Sequence, residues 1–441
     1  MKRLFAATLF IAFALPLSAQ FGPKVLIDST NYVSELTTAD LNGDNAPDII
    51  VCERYLGNRI AYSLNDGSGN MAPLTQLDSM YQPFEIEAGD LNGDGRPEVI
   101  AIQGNHPKGL LTIFTNNFPA FPATVIDSVS YIVNFRLTDL DMDGDLDIVV
   151  AGDRDLIAMY NDGAMNFTKV ALPMPEPENY SMEVADLHND GLPDLIIGTR
   201  GLYIYRNIGG MLTLDSAASA SIFPGTGSVF HIAAGDIDKD GFVDVAYTDP
   251  PWVRADKNTN GLFSAFTTID VMNIKNNIVL ADADGDGWLD FLAMRAGTNE
   301  IFWRRQVAVG QFSPMNVVHV GTFRGSKVFT EDLNGDGLLD LIWCNELAYH
   351  LSGTVSVEEG AAPANALSIY PNPAHGAFRI DFPGAGHFQM LSLDGRICFE
   401  QAVSAAGSLE FQPNLAAGLY AVHFVDVEGK VFSGRVQIQT Q

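Results

Sequence analysis

Cysteine is scarce in this chain of 441 residues: Cys52, Cys344 and Cys398 are the only three. An odd number so widely scattered cannot make a disulfide framework, and two of them sit inside apolar runs, so buried free thiols are expected. Positive charge is also short. Lys and Arg number 25 against 54 Asp and Glu, a formal charge of −29, and such a balance excludes a surface built to neutralise nucleic-acid phosphates. Beyond the first 19 residues no apolar run approaches the roughly 20 residues that a membrane-spanning helix needs. Linear catalytic signatures are missing: there is no Gly-x-Ser-x-Gly and no His-Glu-x-x-His, and the eight histidines are dispersed, with His375, His387 and His423 toward the C-terminal end. A site assembled from distant segments stays open. Hydrophobic residues make up 47% of the chain, enough for a substantial core.

Residues 1–19 read as a secretory signal: Lys2 and Arg3, an apolar run from Leu4 to Leu15, then Leu17-Ser18-Ala19 before Gln20. No cysteine follows the cleavage point, which argues against a lipoprotein anchor. An exported chain without a transmembrane segment is expected.

What the sequence has in abundance is one acidic nine-residue pattern, opening at Asp40, Asp90, Asp139, Asp186, Asp236, Asp282 and Asp332. Successive openings lie 50, 49, 47, 50, 46 and 50 residues apart, a period that marks a repeat architecture. In full form it is Asp-x-Asp/Asn-x-Asp-Gly-x-x-Asp, with oxygen-bearing side chains at positions one, three, five and nine. A hard cation such as calcium takes six to eight oxygens, so a short loop must fold back on itself, and glycine at position six permits the turn. The candidate ligands are Asp40, Asn42, Asp44 and Asp48; Asp90, Asn92, Asp94 and Glu98; Asp139, Asp141, Asp143 and Asp147; Asp186, Asp190 and Asp194; Asp236, Asp238, Asp240 and Asp244; Asp282, Asp284, Asp286 and Asp290; and Asp332, Asn334, Asp336 and Asp340. Twenty-four of the 54 acidic residues stand at these positions. Without a cation they repel, so folding and calcium binding should be coupled, with up to seven sites. In loop 1, Asn45 replaces the glycine, a tolerable change because asparagine reaches the left-handed region. Loop 4 has His188 at position three, a poor partner for an oxygen-seeking cation, and should be the weakest. One copy alone could be a plain acidic turn; seven in phase argue for metal.

After each loop comes a continuous apolar run, such as Ile49 to Cys52 or Ile148 to Ala151, the mark of a strand covered on both faces. A further strand then ends in Asn65-Asp66-Gly67 or Asn161-Asp162-Gly163, a hairpin signal. Four strands per repeat make a propeller blade. The predicted fold is all-β: a seven-bladed propeller over residues 20–355, a linker over 356–365, and a small β-sandwich over 366–441. Leu26-Ile27-Asp28-Ser29 echoes the segment that precedes later loops, so the first strand should complete blade 7 and close the ring.

The repeats resemble the FG-GAP and VCBS families, through Ala88-Gly89-Asp90-Leu91-Asn92-Gly93-Asp94-Gly95 and Asn65-Asp66-Gly67-Ser68-Gly69-Asn70, and their loops look like the calcium loops of integrin-type propellers. The tail resembles the C-terminal sorting domain of type IX secretion substrates, through Ile369-Tyr370-Pro371-Asn372-Pro373, Asp394-Gly395-Arg396, Gly418-Leu419-Tyr420 and the strand from Val431. That resemblance implies a partner in the type IX machinery, passage through the periplasm of a Gram-negative bacterium, and delivery to the outer surface or the medium, with the tail removed. A monomer is expected.

Ligands in related propellers use the face away from the metal loops. There the sequence places Tyr32, Tyr81 and Tyr131 before their motifs, and Arg54, Arg154, Arg200 and Arg295 after the apolar strands, groups suited to a sugar acid or a protein partner. These residues could equally cap blade packing and solvate an acidic protein. The link from Asp215 to Asp236 is longer than the others and carries Ile222, Phe223 and Pro224, a contact site if they are exposed. Two functions fit: a non-enzymatic calcium-binding adhesion module for a glycan or protein, or a polysaccharide-acting enzyme such as a lyase.

Overall fold

The computed structural model describes residues 21–438 except 22–24, 28–32, 55–56, 105–107, 131, 153, 177–180, 223–227, 272–276, 295–299, 321–326, 344–345, 349, 351–366, 371–377, 393–396, 412–417 and 428–430. The signal segment and the linker lie outside the described residues. Two compact units divide the chain, Phe21–Leu351 and one that includes Ser352–Gln441.

The first unit is a propeller of seven four-stranded antiparallel blades. Blade 1 runs Val33–Ala39, Asp48–Glu53, Arg59–Ser63 and Thr75–Ser79, and each acidic loop joins the first strand of a blade to its second. The second strands confirm the reading of the apolar runs. Asp48–Glu53, Asp147–Gly152, Asp194–Gly198, Asp244–Asp249, Asp290–Met294 and Asp340–Trp343 are buried along their whole length. A strand inside a blade has a neighbouring blade on each side, so apolar residues are needed at every position rather than at alternate ones. The core is accordingly a set of seams between blades. Leu91, Ile100, Ile113, Phe135, Val150 and Met159, for example, join blades 2 and 3, and each such side chain contributes about 1.5–3 kcal/mol by leaving water.

Ring closure follows the predicted route. Val25–Leu26 pairs antiparallel with Glu346–Ala348, Val25 opposite Leu347 and Leu26 opposite Glu346, and completes a blade whose other strands are Val328–Glu331 and Asp340–Trp343. Phe21 adds a bridge to His350 and stands edge-on to Trp303 at 6.2 Å between ring centroids. Cys52 is buried and free, as expected.

Two features depart from the sequence reading. The long link after blade 4 opens with a short helix, Ser216–Ser221, capped by Asp215, whose side chain accepts the amides of Ala217 and Ala218 at 2.9 Å. Ile222 then turns inward and is 2% exposed, packed in the seam between blades 4 and 5; it is core, not contact surface. Phe223 and Pro224 lie outside the described residues. Blade 6 carries an extra hairpin, Gln306–Ala308 with Gln311–Phe312, before its outermost strand Asn316–Val320.

The second unit holds a three-stranded sheet, Ser368–Tyr370, Phe378–Phe382 and Gly407–Phe411, and a four-stranded one built from Gly386–Ser392, Ile397–Val403, Gly418–Asp426 and Val431–Ile438. Phe378, Ile380 and Phe382 alternate inward with Arg379 and Asp381 outward, and Phe388 and Phe411 meet at 4.8 Å between centroids. It is a small β domain.

Candidate metal centres and the face opposite them

Each acidic loop is shaped by its own first carboxylate. In loop 1, Asp40 accepts the amides of Gly43 (2.7 Å), Asp44 (3.1 Å) and Asn45 (2.7 Å); Asp90 and Asp332 hold their loops the same way. The chain can wrap so tightly because position six is left-handed in all seven loops, with Asn45 at φ 67° and Gly144 at 98°. Position four is left-handed too, a demand the sequence reading missed, met by Gly43 but also by Met142 and Lys239.

Position nine opens the second strand and is fully buried in every blade. Asp147 accepts the amide of Leu140 at 2.8 Å and that of Asn161 at 2.8 Å, and Asp48, Asp194, Asp244 and Asp340 repeat the arrangement. Glu98, the one glutamate, reaches the same donors, Leu91 at 2.9 Å and Asn116 at 3.4 Å. Burial, reinforced by the neighbouring acids, pushes the carboxyl groups of Asp147, Asp244 and Asp340 up to about 6 and that of Asp290 up to about 7. Burial thus makes the charged form costly, and a cation beside it would offset that cost.

The donors to position nine form a circuit that sequence reasoning missed. Asn65, Asn116, Asn161, Asn207, Asn258 and Gln306 stand at or within two residues of the ends of the third strands, and their side-chain amides reach back to the position-two carbonyl of the preceding blade: Asn65 to Leu333, Asn161 to Leu91, Asn207 to Leu140, Asn258 to Leu187 and Gln306 to Ile237, all at 2.7 Å, and Asn116 to Leu41 at 3.0 Å. His350 takes this place in blade 7, its amide donating to Asp340. Six of the seven acidic loops are thereby tied to the following blade; the exception is loop 6, since neither ring nitrogen of His350 has a hydrogen-bond partner among the described residues. The signal was present in Asn65-Asp66-Gly67 and Asn161-Asp162-Gly163, where the asparagine looked like a turn residue only.

Donor chemistry fits a hard cation. Three clusters bring carboxylate oxygens within 4.8 Å of one another: Asp139, Asp141 and Asp147; Asp236, Asp238 and Asp244; and Asp282, Asp284 and Asp286. Asp139 Oδ1 and Asp282 Oδ1 are buried there without a hydrogen-bond partner, which is costly unless a ligand completes them. In loop 4, His188 Nδ1 lies 2.7 Å from Asp194 Oδ2, so the ring occupies the place of an oxygen donor.

The first strands line a central channel with charge. Five residues before each loop stand Glu35, Glu85, Asn134, Ser181, His231, Asn277 and Lys327, a polar ring whose phase the sequence displays and the sequence reading passed over. Around Glu35, Glu85, Glu87, Arg136 and Lys327 is a cavity of about 380 Å³. Lys327 bridges Glu35 and Glu85, while Arg136 lies 3.0 Å from Glu87 and 3.4 Å from Glu85. Burial raises Glu35 to about 8 and Glu87 to about 7, against the pull of these bases.

On the face away from the metal loops, Tyr81 is 52% exposed, Arg154 and Arg200 are exposed, and Arg54 lies over the Phe84 ring at 5.4 Å. Tyr32, Tyr131 and Arg295 lie outside the described residues. Trp252, which the sequence reading missed, is 38% exposed on this face with Arg254 stacked at 5.0 Å.

Residues 20–101, 139–197, 186–247 and 256–343, together more than half of the chain, match FG-GAP-like repeats. The chain belongs to the FG-GAP-like repeat family. Residues 368–439 match the secretion system C-terminal sorting domain. No curated protein matches the FG-GAP chain. Its fold is similar to that of an Agrocybe aegerita protein solved for recognition of non-reducing terminal N-acetylglucosamine, at 19% identity and a TM-score of 0.49, over 66% of this chain and 81% of that one. It is also similar to PorZ, a surface component of the type IX secretion system of Porphyromonas gingivalis, at 11% identity and 0.32, over 89% and 69%. A Bacillus licheniformis rhamnogalacturonan lyase shares 14% identity at 0.40, over 72% and 71%. The sorting domain indicates export to the cell surface or the extracellular space, handled by type IX secretion. Among the described residues no helix is long and apolar enough to cross a membrane.

Proposed function

We propose that this exported FG-GAP propeller is a calcium-stiffened binding module that engages an acidic glycan through the face opposite its metal loops, without turning it over. The observation that carries the ligand half is the pairing of aromatics with arginine on that face: Trp252, 38% exposed, with Arg254 stacked upon it, and Phe84 with Arg54 over its ring, while Tyr81 is exposed. An aromatic plate gives a sugar ring a stacking surface, and a guanidinium recognises a carboxylate with two parallel hydrogen bonds.

For the metal half, the position-one, -three, -five and -nine side chains would hold calcium, which supplies positive charge beside position-nine carboxylates whose ionisation burial makes costly. Position nine is bonded to the backbone and, through the asparagine circuit, linked to the preceding blade. Calcium there would serve rigidity. The experiment is incubation of the protein with a panel of uronic-acid polysaccharides, reading both binding and the appearance of unsaturated ends. Binding that weakens at least several-fold in Trp252→Ala, with no new ends, supports the module; unsaturated ends would establish the lyase instead.

A further inference from the structure

In blades 4, 5 and 6 the residue just before the circuit amide is basic, and it points into the acidic loop of its own blade. Lys257 contacts Asp238 and lies 2.8 Å from Asp240; Arg305 contacts Asp284 and lies 2.8 Å from Asp286; Arg206 lies 3.0 Å from Asp190. The corresponding residues in blades 1 to 3 are Leu64, Thr115 and Tyr160, and in blade 7 Tyr349. Among the described residues no Lys or Arg pairs with an acid of loops 1, 2, 3 or 7.

In loops 5 and 6, two of the three places where carboxylate oxygens gather, a base already sits on oxygens a metal would need. Both oxygens of Asp238 are engaged, Oδ1 by the Asp240 amide at 3.2 Å and Oδ2 by Lys257, and Asp284 is held likewise by the Asp286 amide and Arg305. Lys239 of loop 5 adds a further positive charge, 4.0 Å over the Trp288 ring of loop 6. Loop 4 has its third position filled by His188, 2.7 Å from Asp194. Loop 3 is the opposite case: acids at all four ligand positions, no paired base among the described residues, and Asp139 Oδ1 buried without a partner. Asp282 Oδ1 is also unpartnered, which ranks loop 6 above loops 4 and 5 for residual affinity.

We infer that Lys257, Arg305, and Arg206 with His188 act as built-in counter-groups that replace calcium in blades 4 to 6, so that tight calcium binding is confined to the contiguous arc of blades 7, 1, 2 and 3. This rests on the calcium reading above. The consequence is mechanical: the arc that contains the ring closure tightens with calcium, while the other holds itself.

Native mass spectrometry and calorimetric titration of the calcium-depleted protein should count about four tight equivalents, because affinity follows the charge and freedom of the ligand oxygens. Lys257→Met should add one. About seven equivalents in the unsubstituted protein would overturn the inference while leaving calcium binding intact, whereas no tight binding at all would overturn the calcium reading itself. Hydrogen exchange of the unsubstituted protein is a second test that needs no variant. Chelation should speed exchange in the second strands of blades 7, 1, 2 and 3 at least ten-fold more than in Leu195–Ile197, Val245–Tyr247 and Phe291–Met294; uniform acceleration would refute the division.

Discussion

Removing one amide of the inter-blade circuit tests whether that circuit holds the ring together. Asn258 is fully buried; its side chain donates to the carbonyls of Leu187 (2.7 Å) and Val243 (2.9 Å) and accepts the Gly261 amide (2.8 Å). Asn258→Ala leaves two carbonyls and one amide buried without partners. Each such group costs about 1–3 kcal/mol, and these costs are not additive when neighbours relax, so a loss of about 4 kcal/mol is expected. Asn258→Asp should do no better, because its carboxylate would face both carbonyls. The four tryptophans, Trp252, Trp288, Trp303 and Trp343, all lie in blades 5 to 7, so urea unfolding followed by tryptophan fluorescence reports the propeller and not the tail. Asn166→Ala is the control: this exposed side chain bonds only to Asp162, at 3.0–3.2 Å, and its loss should cost no more than about 0.5 kcal/mol. If Asn258→Ala and Asn166→Ala shifted the urea midpoint equally, the circuit would be decoration.

Lys327→Met should destabilise the propeller in a pH-dependent way. Glu35, raised to about 8, contributes stability that is present below its unfolded value and lost as pH rises through the folded one. Without Lys327 the charged form loses its partner, so the deficit should reach about 3 kcal/mol near pH 9 and shrink below about 1 kcal/mol near pH 6, where Glu35 is protonated in both proteins; a deficit constant with pH in thermal melts would exclude this origin. Stripping calcium should lower the melting temperature, and added sodium chloride should restore part of it by screening the loop carboxylates, while the calcium-loaded protein changes little. Equal salt dependence of the two forms would mean that loop repulsion is not what calcium relieves.

Much of the fold was legible because it rests on local, repeated demands. Asn45 was readable as a glycine substitute, since the turn requires a positive φ that asparagine tolerates, and it has one. The closing strand was readable from the echo at Leu26-Ile27-Asp28-Ser29, because a repeat that starts with its last strand must end one strand short. What escaped notice is non-local. Asn161 satisfies two partners at once, the Asp147 of its own blade and the Leu91 carbonyl of the one before, and no window along the chain contains all three. Lys257 is similar, since its contact with Asp238 spans two strands and becomes visible only when they pair. The helix Ser216–Ser221 was invisible for a different reason: six residues of alanine and serine are too few to show a period, and its stability comes from the Asp215 cap and from Ala218 and Ile222 packed in a seam. Repetition therefore exposes what each blade needs for itself, and it hides what each blade supplies to the next. The inter-blade groups can still be found by aligning the seven repeats against one another and asking which polar positions recur where burial is demanded; the ring Glu35, Glu85, Asn134, Ser181, His231, Asn277 and Lys327 answers that question from the sequence alone.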